Sequence, residues 1–164
     1  MKALAEQVLA LEAAQDQQVV RMMTLGKSLP EFTLLQTIPG IGGSTAIRLI
    51  SELGDIRRFD TRQQLNSYVG LDTTEVDSGD HQSARHITKH GSPHARRILY
   101  WTVVLMLNPK MGNNHIRDAY KKRREASSSK KKLIVRQMDR LIKTILYLIK
   151  TNQPYSYELA PQSK

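Results

Sequence analysis

The feature that most constrains this chain is a glycine-rich turn between two short apolar segments. Ile38-Pro39-Gly40-Ile41-Gly42-Gly43 carries three glycines and a proline in six residues, a composition that stops a helix and permits a tight turn. Phe32, Leu34 and Leu35 precede it, and residues 44–53 follow with apolar side chains at helical spacing. We therefore expect two helices joined by this turn, with free N–H groups at the start of the second that suit a phosphate oxygen.

The pattern is typical of the helix-hairpin-helix, which holds a nucleic-acid backbone without reading its sequence. The residues expected to approach phosphate are Gly40, Gly42, Gly43 and Ser44. The alternative is an ordinary connection whose glycines only let two helices pack closely. A Walker phosphate-binding loop is excluded because no Gly-Lys-Ser/Thr follows the turn.

The rest of the chain also predicts helices. Helical spacing indicates one helix over 2–27, closed by Gly26 and Pro30, and another that Ser92 and Pro93 begin and that carries Trp101 and Leu105 among its apolar positions. Further helices are expected over 31–37, 44–53, 61–68, 114–120 and 130–150. The polar stretch 71–91 lacks periodicity and predicts a long loop that can hold a short hairpin. The fold class is therefore all-α: a helix-hairpin-helix core, a basic C-terminal helical pair and a long N-terminal helix.

Three parts are expected along the chain. Residues 1–29 form the long helix, which either docks on the body or continues a coiled coil. Residues 30–155 form the helical domain. The chain is expected to loosen after Thr151, and residues 156–164 to be a flexible tail.

Composition narrows the class of protein. The 164 residues contain no cysteine, which excludes disulfides and cysteine zinc sites. No apolar run has membrane length and no signal peptide is recognisable, so we expect a cytoplasmic protein without a membrane partner. Residues 1–80 carry 7 Lys/Arg and 11 Asp/Glu, whereas residues 81–164 carry 18 and 4, giving −4 and +14 and summing to the net charge of +10. This asymmetry favours a nucleic-acid partner over a merely solubilising surface.

The basic charge is concentrated in the C-terminal helices. Residues 117–143 hold eleven Lys/Arg against three acidic residues. Arg117 and Lys121 are the expected phosphate contacts, and Tyr120 could stack on a base. The alternative is a solvated face, but the apolar stripe on the same helices favours core on one side and phosphate on the other.

A nucleophile candidate lies in the polar loop, at Asp77-Ser78-Gly79. A serine hydroxyl beside a glycine can reach a substrate, and attack on phosphorus requires cations that neutralise its charge. Arg85, Lys89, Arg96 and Arg97 are the cations nearest in sequence. From the residues alone, a turn serine that bonds its own backbone is the favoured interpretation.

Four histidines fall within fourteen residues, at His81, His86, His90 and His94. Their spacing matches no known zinc pattern, and their basic neighbours disfavour a dication. Contacts to phosphate or base, or plain surface positions, are favoured, and no metal site is predicted in this chain.

Several ordered blocks together resemble the transposase domain of the IS one-ten family of insertion sequences, related to the Piv invertase. The resemblance covers about residues 30–155. The blocks are Leu34-Leu35-Gln36-Thr37-Ile38-Pro39-Gly40-Ile41-Gly42; Arg58-Phe59 with Gln64-Leu65 and Tyr68-Val69-Gly70-Leu71; Ser78-Gly79; Ile87-Thr88-Lys89-His90-Gly91-Ser92 with Arg96-Arg97; and Asn114 through Ile116-Arg117 to Tyr120.

The resemblance implies DNA recombination by a serine nucleophile, which corresponds to Ser78 and forms a covalent link to DNA. It also implies Mg²⁺ held by acidic residues of an N-terminal RuvC-like domain, and in some members a structured guide RNA. We expect a homo-oligomer. No cofactor is expected within this chain itself.

Two departures limit the resemblance. The family often has a proline shortly after Gly70-Leu71, where this chain has Asp72-Thr73-Thr74. No RuvC-like domain precedes the transposase blocks, so we expect the isolated chain to be inactive as a fragment, a truncated reading frame or a decayed element. The rival hypotheses are a non-catalytic nucleic-acid-binding module and a helical oligomerisation module built on residues 2–27.

Overall fold

The computed structural model describes residues 1–74, 86–127 and 129–158. Helices dominate these residues, which confirms the all-α prediction. A single antiparallel pair of two-residue strands, β1 (Thr73–Thr74) and β2 (His86–Ile87), is the strand structure found there. The helices are α1 (Lys2–Gly26), α2 (Pro30–Gln36), α3 (Gly43–Leu53), α4 (Arg62–Val69), α5 (Pro93–Met106), α6 (His115–Arg124) and α7 (Lys130–Thr151), with single 3₁₀ turns at Ile56–Arg58 and Pro109–Met111.

Side-chain caps set where the later helices begin. The side chains of Thr61, Ser92, Asn114 and Ser129 each accept the N–H three residues further on, at the starts of α4 to α7. Such caps satisfy N–H groups that the helix itself cannot bond. The predicted start at Ser92 and Pro93 is confirmed.

Helix α7 forms the centre of the domain. It packs on α5, α6, α4 and α2, and its residues Leu141, Ile142 and Ile145 are completely buried. The predicted apolar stripe is therefore the main wall of the core. The lysines and arginines of α7 are confined to the remaining face.

Helix α1 is anchored at its C-terminal end only. Met22 and Met23 pack against the core, and Gly26 is buried where an added Cβ would meet the side chain of Ile47. Residues 1–18 are exposed on every side, including Leu4 and Leu11. The prediction of a long helix is confirmed, and its docking on the body involves only the last two turns.

The chain beyond Thr151 is held on the body as far as Tyr157, so the expectation that it loosens after Thr151 is wrong. The Tyr155 N–H donates to Thr37 Oγ1 at 2.8 Å, and the Tyr155 hydroxyl lies 2.7 Å from Nδ1 of His115. The Tyr157 hydroxyl donates to Asp118 at 2.8 Å. Residues 159–164 lie outside the described residues. None of the helices in the described part is long and apolar enough to cross a membrane.

Candidate nucleic-acid interface

Two of the three glycines in the turn serve helix packing. Gly40 has φ +92°, and a Cβ there would lie 2.9 Å from Cγ of Met106 on α5. A Cβ on Gly43 would lie 2.6 Å from the terminal methyl of Met23 on α1. The close-packing interpretation therefore accounts for Gly40 and Gly43 without any phosphate.

Gly42 and the first turn of α3 face solvent instead. Gly42 is exposed and has no neighbour within 4 Å of an added Cβ. It precedes α3 without a side-chain cap, and within the described residues no hydrogen bond engages the N–H groups of Gly43, Ser44 and Thr45. These N–H groups are the feature of the turn that remains available to an anion.

The segment with Ser78 is closed at its base by a backbone structure, which we call the stem and define as residues 70–74 and 86–91. In the stem β1 pairs with β2, so that Thr74 lies opposite His86. Three more backbone hydrogen bonds continue this pairing toward α4 and α5. The Thr88 N–H donates to Asp72 O at 2.8 Å, and the Lys89 N–H donates to Gly70 O at 3.2 Å. The Ser92 N–H donates to Tyr68 O at 2.9 Å. Ser78 and Arg85 themselves lie outside the described residues.

Two glycines let the stem sit on the end of α4. Gly70 is the C-cap of α4, with φ +76° in the left-handed region. A Cβ on Gly91 would collide with the carbonyl oxygen of Tyr68 and the backbone N of Gly70. Arg96 closes the junction, because its guanidinium donates to Val69 O at 2.8 Å. Arg96, predicted as a phosphate contact, therefore has a structural partner at the base of the stem.

The other predicted cations divide into exposed and buried residues. Lys89, Arg97 and Lys121 are exposed. Arg117 is only 7 % exposed, and its guanidinium donates to Asn113 Oδ1 at 3.0 Å and to Asn108 O at 3.4 Å. This burial corrects the expectation for Arg117, which supports the chain before α6 and does not face a ligand.

The histidines and acids form no metal cluster in the part of the chain that the structure describes. His90 in the stem and His94 in the first turn of α5 are exposed, whereas His81 lies outside the described residues. The carboxylates needed for the Mg²⁺ that the resemblance implies are thus not assembled among these residues.

One surface was missed at the sequence level. Trp101 and Leu105 were placed among the apolar positions of α5, but Trp101 is 56 % exposed and Leu105 45 % exposed. Both line a groove of about 730 Å³ between α1, α3 and α5. The sequence feature that could have indicated this groove is the spacing of His94, Arg97 and Trp101, which places all three on one face of α5.

Comparison with known proteins identifies the family of the chain. A sequence profile described as "Transposase IS116/IS110/IS902 family" matches residues 32–121, more than half of the chain. That span contains the glycine turn, the stem, the Ser78 segment, α5 and most of α6. The chain belongs to this family of insertion-sequence transposases.

Curated relatives give the same result. The chain is 32% identical over 130 residues to the pilin gene-inverting protein of Moraxella bovis, which covers 75% of this chain and 38% of that protein. It is 30% identical over 78 residues to the transposase for insertion sequence element IS1111A of Coxiella burnetii, covering 48% and 21%. It is 30% identical over 108 residues to the insertion element IS110 uncharacterized 43.6 kDa protein of Streptomyces coelicolor, covering 66% and 25%. The chain therefore spans about two fifths of these relatives or less.

Proposed function

We propose that this chain is the DNA-binding C-terminal domain of an insertion-sequence transposase, in which Ser78 attacks a phosphodiester of DNA. The observation that carries the proposal is the family match over residues 32–121, because that match includes Ser78 together with the turn and the stem. The closed stem supports it further, since a backbone-paired base restrains both ends of the segment that carries the nucleophile.

The chemistry assigned to Ser78 is nucleophilic substitution at phosphorus. The hydroxyl loses its proton, its oxygen forms a bond to phosphorus, and a deoxyribose oxygen leaves, so that the DNA becomes covalently attached to the protein. Lys89 in the stem and Arg97 on α5 are both exposed and would offset the charge that develops on the phosphoryl oxygens. Arg85 would act in the same way, and Arg96 would also hold the stem in place.

Binding to the DNA backbone is assigned to two surfaces. The first is the open start of α3, at Gly42 and Ser44, where backbone N–H groups would hold a phosphate. The second is the exposed basic run that begins at Lys121 on α6 and continues on the outer face of α7. Binding through such groups releases counterions and must weaken steeply with salt.

The remaining partners are proposed on the family resemblance. Carboxylates of a RuvC-like domain would hold Mg²⁺, and a structured guide RNA would be a further partner. The exposed leucines of α1 support a homo-oligomer. We propose that this chain does not recombine DNA without that further domain.

The test of the catalytic assignment is covalent attachment. In this chain joined to a RuvC-like domain of the family, radiolabelled DNA should stay on the protein after denaturation, and Ser78→Ala should abolish this while leaving DNA affinity unchanged. Ser83→Ala, in the same segment, is the matched control and should retain attachment. If Ser78→Ala still captures DNA covalently, Ser78 is not the nucleophile.

The second candidate function is a non-catalytic nucleic-acid-binding module, favoured by the absence of an acidic cluster in the described part of the chain. It predicts the same salt-dependent binding without any covalent product. A flat response of binding to salt would argue against both candidates and for an oligomerisation module.

A further inference from the structure

We propose that the groove between α1, α3 and α5 is a binding site for an unpaired nucleotide, with Trp101 as the surface on which the base stacks. The proposal rests on the nucleic-acid binding proposed above. It extends that binding from the start of α3 into the groove, which Ser44 and Arg97 also line, and which lies apart from Lys121 and the basic face of α7. It depends on three features of the groove: its shape, its charge and its single tryptophan.

Each wall of the groove is one face of one helix. On α5, His94, Arg97 and Trp101 follow one another at intervals of three and four residues, and all three line the groove. On α3, Ser44 and Arg48 line the opposite side. The volume of about 730 Å³ is in the range of pockets that enclose small organic ligands, which suits a nucleotide and is too small for a duplex.

The charges in the groove suit a phosphate. Arg48 and Arg97 both line it, and within the described residues neither guanidinium has an ion-pair or hydrogen-bond partner. The acidic residue on its wall is Glu52, whose carboxylate accepts the hydroxyl of Ser92 at 3.1 Å. Two free guanidiniums beside the start of α3 leave the groove with an excess of positive charge.

Trp101 is the reason to choose an unpaired nucleotide over a simple anion. It is the single tryptophan of the chain and is 56 % exposed, although its ring contacts Tyr100 edge to face at 5.5 Å between centroids. An exposed indole beside arginines is the arrangement that binds bases by stacking, and only unpaired bases offer a free face. Gln15 and Gln18 of α1 face the same groove and supply amide groups for base edges.

The single tryptophan makes a direct test available. Because Trp101 is the sole indole, fluorescence excited at wavelengths that the six tyrosines do not absorb reports on this groove alone. Titration of the chain with a twelve-residue oligothymidylate should quench the emission, whereas a duplex of the same length should bind without comparable quenching. Titration with an RNA oligonucleotide of the same length shows whether the groove prefers single-stranded DNA or single-stranded RNA.

Affinity measurements with variants complete the test. Trp101→Ala should weaken oligothymidylate binding roughly 5-fold or more, the equivalent of about 1 kcal/mol or more for one stacked base, and leave duplex binding unchanged. Trp101→Phe should restore most of the loss. Tyr157→Ala removes an aromatic ring of similar exposure, 48 %, beyond the end of α7 and outside the groove, and should change neither affinity.

The outcomes separate this proposal from the function it rests on. Salt-dependent binding of duplex without quenching by single strands, or equal losses in Trp101→Ala and Tyr157→Ala, would overturn the groove as a nucleotide site while leaving the proposed function intact. Absence of any nucleic-acid binding at low salt would overturn both. Quenching by a helical peptide instead of an oligonucleotide would identify a protein partner and also overturn the proposal.

Discussion

The glycine turn and the stem look alike in the sequence, since each brings glycines next to a helix end, but the structure uses their glycines differently. In the turn, Gly40 and Gly43 face flexible methionine side chains, and Gly42 faces solvent. In the stem, Gly70 and Gly91 face each other's backbone. Methionine side chains can shift, whereas two paired backbone segments cannot move without losing their hydrogen bonds.

The difference separates what is rigid from what is open to a ligand. The stem has its N–H and carbonyl groups bonded across the junction, so it offers little backbone to another molecule. The turn ends in N–H groups that no described residue bonds. We infer that the stem is the structural element and that the open end of the turn is the contact element.

The largest expected effect is at the stem. Gly91→Ala should lower the free energy of unfolding by about 3 kcal/mol or more, because its Cβ would collide with backbone and the paired segments would have to separate. Chemical denaturation measures the change. The control is Gly42→Ser, which has open space and adds a favoured cap, and should leave stability unchanged or slightly higher. Equal losses of unfolding free energy in Gly91→Ala and Gly42→Ser would contradict the proposed difference between the stem and the turn.

A smaller loss is expected in the turn. Gly40→Ala places a side chain at φ +92° and crowds Met106, and we expect a loss of about 2 kcal/mol. Gly43→Ala should cost little, since Met23 can move its terminal methyl and alanine is a better helix former than glycine. The same denaturation measurement checks both. If Gly43→Ala proved the more damaging variant, the packing account of this turn would be wrong.

Local signals were predictable from the sequence, whereas contacts between distant segments were not. The cap at Ser92 and the apolar stripe of α7 depend on neighbours within one or two turns, and both were recognisable. The collision at Gly91 involves residues about twenty positions earlier. The sequence blocks around Gly70 and Gly91 marked both positions without showing that the two touch.

The candidate site was also predictable only in part. The start of α3 could be inferred because helix ends always leave N–H groups unbonded. The directions of Arg96, Arg117 and Trp101 could not, because they depend on which neighbouring helix covers each residue. Charge alone predicted that Arg117 contacts phosphate, but it is buried. Trp101 was counted only among the apolar positions of its helix, but it is exposed.

Neighbouring arginines in the stem region should behave differently. Arg96→Ala removes a charge-assisted hydrogen bond to Val69 O and should lower the free energy of unfolding by roughly 1–2 kcal/mol. Arg97→Ala should leave stability within about 0.5 kcal/mol but reduce the salt dependence of DNA binding by about one phosphate contact. Denaturation and binding at several salt concentrations together check this. A loss of stability in Arg97→Ala but not in Arg96→Ala would contradict the structural role of Arg96 and the DNA-contact role of Arg97.

The smallest effect concerns pH and the turn. Burial lowers the pKa of His115 from its ordinary value of 6.5, and the positive charge of Arg140 lowers it further, while Asp118 opposes the shift. The neutral ring also fits its hydrogen bonds. The Thr144 hydroxyl donates to Arg140 O and so accepts from Nε2, while Nδ1 is left to accept from the hydroxyl of Tyr155.

Protonation of His115 should therefore loosen the contact between Tyr155 and Thr37, just before the turn. Below about pH 6.5 the unfolded chain binds a proton that the folded chain does not, so the free energy of unfolding falls as pH decreases and stops falling below the folded-state pKa. His115→Gln should flatten this dependence. Hydrogen exchange, corrected for intrinsic rates, should show faster exchange at acid pH for the Ile41 amide of the turn and an unchanged rate for the Lys89 amide of the stem. Equal acceleration at both amides would mean that His115 acts on the whole fold and not on the turn.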